Sequence, residues 1–157
     1  MTVYPTPPPP TGVDIEQWMA AIAEIRAYCD WHIAPEVTET VTLTRSSGAL
    51  VELPTMRVVS VQSVTNAGVA VAAPEWDPAG LLYGSWADRR RGVVVEMTHG
   101  YAAWPPEVLK VARQIVAADG RSGVSAVTSR NHQVQFDGPG LNDEQKALLA
   151  PYRRFVV

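Results

Sequence analysis

The chain has 157 residues, 46% hydrophobic and 18% charged, which is enough apolar material for one domain and too little charge for a disordered chain. Its net charge of −3 gives no overall attraction to nucleic acid and sets a strongly basic DNA binder aside. One cysteine, Cys29, excludes an internal disulfide framework, and His32, His99 and His132 lie too far apart in sequence for zinc-ligand spacing.

The N-terminus, MTVYPTPPPP, has neither the basic start nor the apolar stretch of a signal peptide. No run approaches the ~20 apolar residues of a membrane helix, so the expectation is a chain made inside the cell. Residues 1–12 read as a proline-rich arm, extended and semi-rigid because proline fixes φ and removes donors. It is either a loose terminus that orders on contact or a docking arm for a neighbouring subunit.

A first helix is expected over residues 13–30. Thr11 is placed to cap it, with Asp14 three residues on. Ile15, Trp18, Ile22, Ile25 and Cys29 recur at spacings of three and four, and Met19 and Ala21 widen that stripe. Cys29 reads as a small core residue, since nothing near it in sequence stabilises a thiolate. Ala34-Pro35 closes the helical region.

A β section follows over residues 36–98. Val37, Val41 and Leu43 alternate with threonines, the period of a half-buried strand. Arg45 to Gly48 reads as a turn, with residues 49–53 returning as the hairpin partner. A valine-rich run over 57–65 turns at Asn66-Ala67-Gly68 into residues 69–71. Residues 74–80 read as a loop and 81–83 as a short strand. The loop over 84–92 carries Arg89, Arg90 and Arg91 beside Trp86; it is either a solvated hairpin tip or a contact for phosphate or an acidic surface. The run Val93 to Met97 forms the next strand and ends in Thr98-His99-Gly100-Tyr101, where His99 reads as a structural histidine bonded to nearby backbone.

Pro105-Pro106 opens a second helix, residues 105–119, with Val108, Ala112 and Ile115 on its core face. Gly120 stops it. Residues 121–130 read as a polar loop and 131–136 as a short strand with Val134 and Phe136 on one face. Asn142, with Gln145 in reciprocal position, caps a third helix over 142–150. Pro151 ends it and residues 152–157 remain as a tail. The resulting fold expectation is α+β: a small antiparallel bundle of about three helices carrying an inserted small antiparallel sheet. Residues 13–151 form a single domain. No catalytic, metal or cofactor constellation is found: there is no G-x-S-x-G elbow, no H-E-x-x-H helix and no paired cysteines.

The order of these segments resembles the head-to-tail adaptor (head-tail connector) family of tailed bacteriophages. The likeness is carried by Tyr28 to Pro35 at the exit of the first helix and by Leu53 to Val61 as a proline-containing link. It is also carried by Val94 to Tyr101 with Pro105-Pro106-Glu107-Val108 as a strand-HGY-proline-helix junction, and by Leu141 to Arg153 as closing helix and tail. It spans about residues 13 to 154 and leaves out the proline arm. The resemblance implies a non-enzymatic virion protein, assembled in the bacterial cytoplasm. It would form a dodecameric ring beneath the portal protein, extend the DNA channel and present a surface to a further neck or tail-completion protein. DNA would pass without sequence-specific binding, and no membrane is involved. The family's portal-contacting segment maps onto Tyr152, Arg153, Arg154, Phe155, Val156 and Val157, which offer aromatic anchors and carboxylate-pairing arginines. The Arg89 to Arg91 loop would face a neighbouring subunit, the portal or DNA. A stopper or tail-completion neck protein, or a nucleic-acid-binding module using those arginines, remains as an alternative.

Overall fold

The computed structural model describes residues 4–43, 49–86, 92–119 and 140–154. Arg89, Arg90, Arg91, the turn at 45–48, Gly120, the segment 121–136 and Phe155, Val156 and Val157 lie outside the described residues. Among the described residues the elements run α1 (Ile15–Cys29), β1 (Val37–Leu43), β2 (Leu50–Glu52), β3 (Val58–Asn66), β4 (Val69–Ala70), β5 (Glu75–Asp77), β6 (Leu81–Tyr83), β7 (Val93–His99), α2 (Pro106–Asp119) and α3 (Asp143–Leu149), with a 3-10 turn at Ala150–Tyr152.

The expected helical bundle with a small inserted sheet is overturned. Among the described residues seven strands form two antiparallel sheets, one of order β1-β7-β3-β4 and one of order β2-β6-β5. They enclose a core of their own, built from Val51, Leu53, Val64, Leu82, Trp86, Val95 and Met97 among others. A second core joins α1, α2 and α3 through Trp18, Ile22, Ile25, Val108, Val111, Ile115 and Leu149. The β section is therefore a packed layer pair and not an appendage of the helices.

Strand β7 lies inside the larger sheet, paired with β1 on one side and β3 on the other. Its alternation explains the position. Val93, Val95, Met97 and His99 are buried, while Glu96 is exposed, so one face meets the second sheet and the other meets water. That outer face is polar: Thr38 and Thr98 hydroxyls lie 2.7 Å apart and the Gln62 amide donates to Thr98 Oγ1 at 2.8 Å. Register shifts in β3 between Val58 and Ser60 and between Val61 and Ser63 are bulges that keep Val58, Val61 and Val64 inward despite non-alternating spacing.

Two pairings differ from expectation. Strand β2 does not return on β1; it pairs with β6 while β1 pairs with β7. Residues 75–77, expected as loop, form β5 on the other edge of β6. The β3–β4 hairpin closes through Ala67 and Gly68, at φ 54° and 81°, the doubly positive geometry that matches strand twist.

Helix α1 is capped by Asp14, not Thr11. The Asp14 carboxylate accepts from the Glu16 and Gln17 backbone N–H groups, and a charged acceptor suits the positive helix end better than a hydroxyl. The helix ends at Cys29, with Asp30 at φ 63°, five residues before Pro35. Ile15 and Met19, expected on the buried stripe, are 57% and 51% exposed; the core takes the narrower stripe Trp18, Ala21, Ile22, Ile25 and Cys29. At α3 the Asn142 side chain accepts from Gln145 N–H and the Gln145 side chain accepts from Asn142 N–H, each at 2.9 Å, a reciprocal cap.

Candidate functional site

The sheets and helices meet where β7 ends. Gly100 N–H donates to Arg57 O, and Tyr101 N–H donates to Ile33 O, each at 2.8 Å, so the strand exit is tied to the residue that leads into β3 and to the loop after α1. Gly100 has φ +109°, and a Cβ there would lie 2.7 Å from His32 Nε2 and 2.8 Å from Pro35 O. Glycine is required on both counts, backbone angle and space. A Gly100→Ala substitution is expected to cost about 2–4 kcal/mol, strain and overpacking together. Urea unfolding measures this, and an unchanged midpoint would contradict so tight a junction.

Around that glycine lies a polar cluster assembled from five segments. Glu39, on the inward face of β1, accepts from His99 Nε2–H and from the Tyr4 hydroxyl, both at 2.8 Å. His32 Nε2–H donates to Pro35 O at 2.9 Å. The His32 ring is stacked on Tyr4 at 4.5 Å and meets His99 edge-on at 4.5 Å. Because carboxylate and carbonyl oxygens only accept, both imidazoles carry their proton on Nε2 and leave Nδ1 bare. Both Nδ1 atoms are buried with no hydrogen-bond partner among the described residues. Burial pushes His32 down to about 4 and also lowers His99, against the raising effect of Glu39. Both histidines are thus neutral at pH 7. His99 is a structural histidine, but its partner is the Glu39 carboxylate and not backbone.

Arg26, on α1, stitches the cluster to the N-terminal arm. Its Nε–H donates to His32 O at 3.0 Å, and Nη2 donates to Pro5 O at 2.6 Å and Ala34 O at 3.0 Å. Nη1 reaches Tyr4 O at 3.3 Å, and the guanidinium lies 5.1 Å from the Trp104 ring centroid. Further along, Trp18 Nε1–H donates to Pro7 O at 2.8 Å. The arm is therefore laid against the domain. Tyr4 is pushed up to about 12 by burial and the Glu39 bond.

A second cluster fixes the C-terminal segment. Arg154 N–H donates to Cys29 O, and its guanidinium pairs with Asp30. Trp31 Nε1–H donates to Tyr152 O, and Tyr152 donates to Glu107 on α2 at 3.0 Å. Arg153 lies over Tyr28 at 5.1 Å, and Tyr152 meets Tyr101 edge-on at 5.8 Å. The tail residues Tyr152, Arg153 and Arg154 thus contact their own domain, at the end of α1. Tyr4, Arg26 and Glu39 are not among the site residues that the sequence leads one to expect.

The chemistry these clusters support is positioning. His99 has no exposed surface. Cys29 is fully buried and its thiol is pushed up to about 12, so it is no nucleophile. Among the described residues no group of three or more His, Cys, Asp or Glu side chains is placed to hold a metal, and no helix is long and apolar enough to cross a membrane. Trp86, which neighbours the three arginines in sequence, is 7% exposed and packed in the β core, so it offers no stacking platform for a base.

No family model matches the sequence, and no curated protein matches it. Among solved structures the chain is similar to one described as "Neck of native GTA particle computed with C12 symmetry". The TM-score is 0.59 at 18% identity, over 90% of this chain and 82% of that one. At that identity the likeness defines a shared fold, and that fold includes both the sheets and the helices.

Proposed function

We propose that the chain is a structural subunit of the head-to-tail neck of a phage-like particle. In this reading, copies of the chain form a ring under the portal that extends the DNA channel and carries the next neck or tail-completion protein. The observation that carries this is the fold shared over 90% of the chain with a neck component solved under twelvefold symmetry. Assembly is the activity, in keeping with clusters that lock segments together. Mild negative charge suits a channel wall that must let DNA slide. The packing of α1 on α2 favours an adaptor over a stopper, which is expected to lack paired helices.

The portal contact is assigned to the C-terminal tail, divided by the clusters just described. Tyr152, Arg153 and Arg154 set the exit point beside α1, and Phe155, Val156 and Val157 are the segment offered to the portal. Arg89, Arg90 and Arg91 are assigned to a protein neighbour rather than DNA. Deleting only Phe155 to Val157 should abolish portal attachment and leave the circular dichroism spectrum and unfolding midpoint unchanged. Deleting from Tyr152 should also lower the midpoint, because Trp31 and Asp30 lose partners. Attachment that survives the shorter deletion refutes the tail assignment. The function itself is tested by sedimentation of the chain mixed with the portal protein from the same particle. A joint species heavier than the portal alone is expected, and two independent boundaries would argue against the reading.

A further inference from the structure

The arm is held the way a peptide ligand is held. Residues 4–10 contain five prolines, a segment rich in carbonyls and poor in N–H groups. The domain answers with donors: the Arg26 guanidinium to Tyr4 O and Pro5 O, and the Trp18 indole to Pro7 O. Pro7 is buried, and the Tyr4 ring lies on His32 with its hydroxyl on Glu39. Indole and guanidinium donors set among aromatic rings are the means by which grooves capture extended proline-rich segments. Of these polar links only the Tyr4 hydroxyl comes from an arm side chain.

The connection to the rest of the chain is slight. Val13 N–H donates to Pro10 O at 3.1 Å across a turn at Thr11 and Gly12. Gly12 has φ +82°, and no described residue lies within 4 Å of the position its Cβ would take, so none of them packs on that side of the turn.

We propose that the groove formed by Trp18, Arg26, His32 and Glu39 is a recognition site for a Tyr-Pro-x-Pro segment, and that in the assembled ring it is filled by the arm of an adjacent copy. The second half rests on the ring reading above. A neighbour's arm would make each of these groove contacts, so exchange keeps them and opens only the Pro10–Val13 turn. Exchange of an identical element between copies is a low-cost route to association, and a ring holds each arm close to a neighbour's groove. With Tyr4 to Pro7 seated, residues 8–12 in extended conformation reach about 15 Å, the span left to cross an interface. Each copy carries one arm and one groove, a head-to-tail link that is compatible with a closed ring.

The test places p-benzoylphenylalanine at Thr6, between the two held prolines, in the full chain. Light and 15N-labelled copies are mixed before assembly on the portal and then irradiated. Peptides spanning Trp18 to Ala34 should be crosslinked to arms of the other isotope in proportion to random mixing. The same probe at Pro8, an exposed position, should give the same answer if the Thr6 probe disturbs docking. Crosslinks confined to a single isotope in assembled rings overturn the exchange and leave the ring reading standing. Chains that remain monomeric and crosslink only within themselves overturn both. Crosslinks from both probe positions that miss the groove overturn the recognition site itself.

Discussion

Replacing Trp18 by alanine should destabilise the chain by about 3–5 kcal/mol, the usual cost of emptying a fully buried aromatic site. Trp18 is 1% exposed and does two things at once. Its ring fills the helical core between α1 and α2, and its indole N–H holds Pro7 O. Removing it leaves a cavity and frees a buried carbonyl. Trp18→Phe separates the effects: much of the core is refilled, but the Pro7 bond is lost, a step of about 1 kcal/mol. The alanine variant should show a far lower urea midpoint, and the phenylalanine variant a modest fall with faster proteolysis before Val13. Equal, small losses in both would mean that the indole is not part of the core.

The second large effect is acid destabilisation centred on the two histidines. His32 titrates at about 4 in the folded chain, against 6.5 unfolded, and His99 is shifted in the same direction. A base with a depressed folded pKa takes up its proton first in the unfolded chain. Stability is therefore full above pH 6.5 and falls as pH drops from 6.5 towards 4. His32 contributes a slope of about 1.4 kcal/mol per pH unit inside that window, and His99 adds to the fall in the same direction. His32 alone accounts for roughly 3 kcal/mol between its two limits. Unfolding free energies measured from about pH 7.5 to 4 should show this fall, and a His32→Gln variant should lose about one proton's worth of it. A wild-type profile flat from about pH 6.5 to 5 would contradict the neutral buried pair.

What the sequence disclosed follows what is local. The alternation of Val93 to His99 and of Val37 to Leu43 is written in neighbouring residues, and the Asn142–Gln145 cap needs only a spacing of three. Pairing is not local. Nothing in residues 49–53 says that they meet Leu82 rather than Val41, and the adjacent hairpin is merely the shorter loop to close. Strand β5 is three residues long beside two prolines, below what periodicity can resolve. The wider stripe expected on α1 fails because apolar spacing marks a face but not how much of it a neighbour covers. Ile15 and Met19 fit the pattern and still face outward.

The candidate site is mostly hidden in the sequence because Tyr4, Arg26, His32, Glu39 and His99 come from five separate segments. One signal is present. Glu39 shares parity with Val37, Val41 and Leu43, so a charge is bound for the inner face of a strand, where it needs a partner. His99, the last inward residue of β7, is that partner. Only the strand register joins the two, and the sequence does not contain it: Glu39 lies opposite Met97, two residues from His99. The tail reads as free because its aromatic and basic residues suit a partner protein; Trp31 and Asp30 suit them equally well.

Ring assembly at the portal is the property on which the proposed function depends. Electron microscopy of the full chain mixed with the portal protein of its own particle measures this directly. The expected result is a closed ring, coaxial with the portal and of twelvefold symmetry like the neck whose fold it shares, with the C-terminal segment at the contact. Portal particles that stay bare at saturating concentrations of folded chain would contradict it.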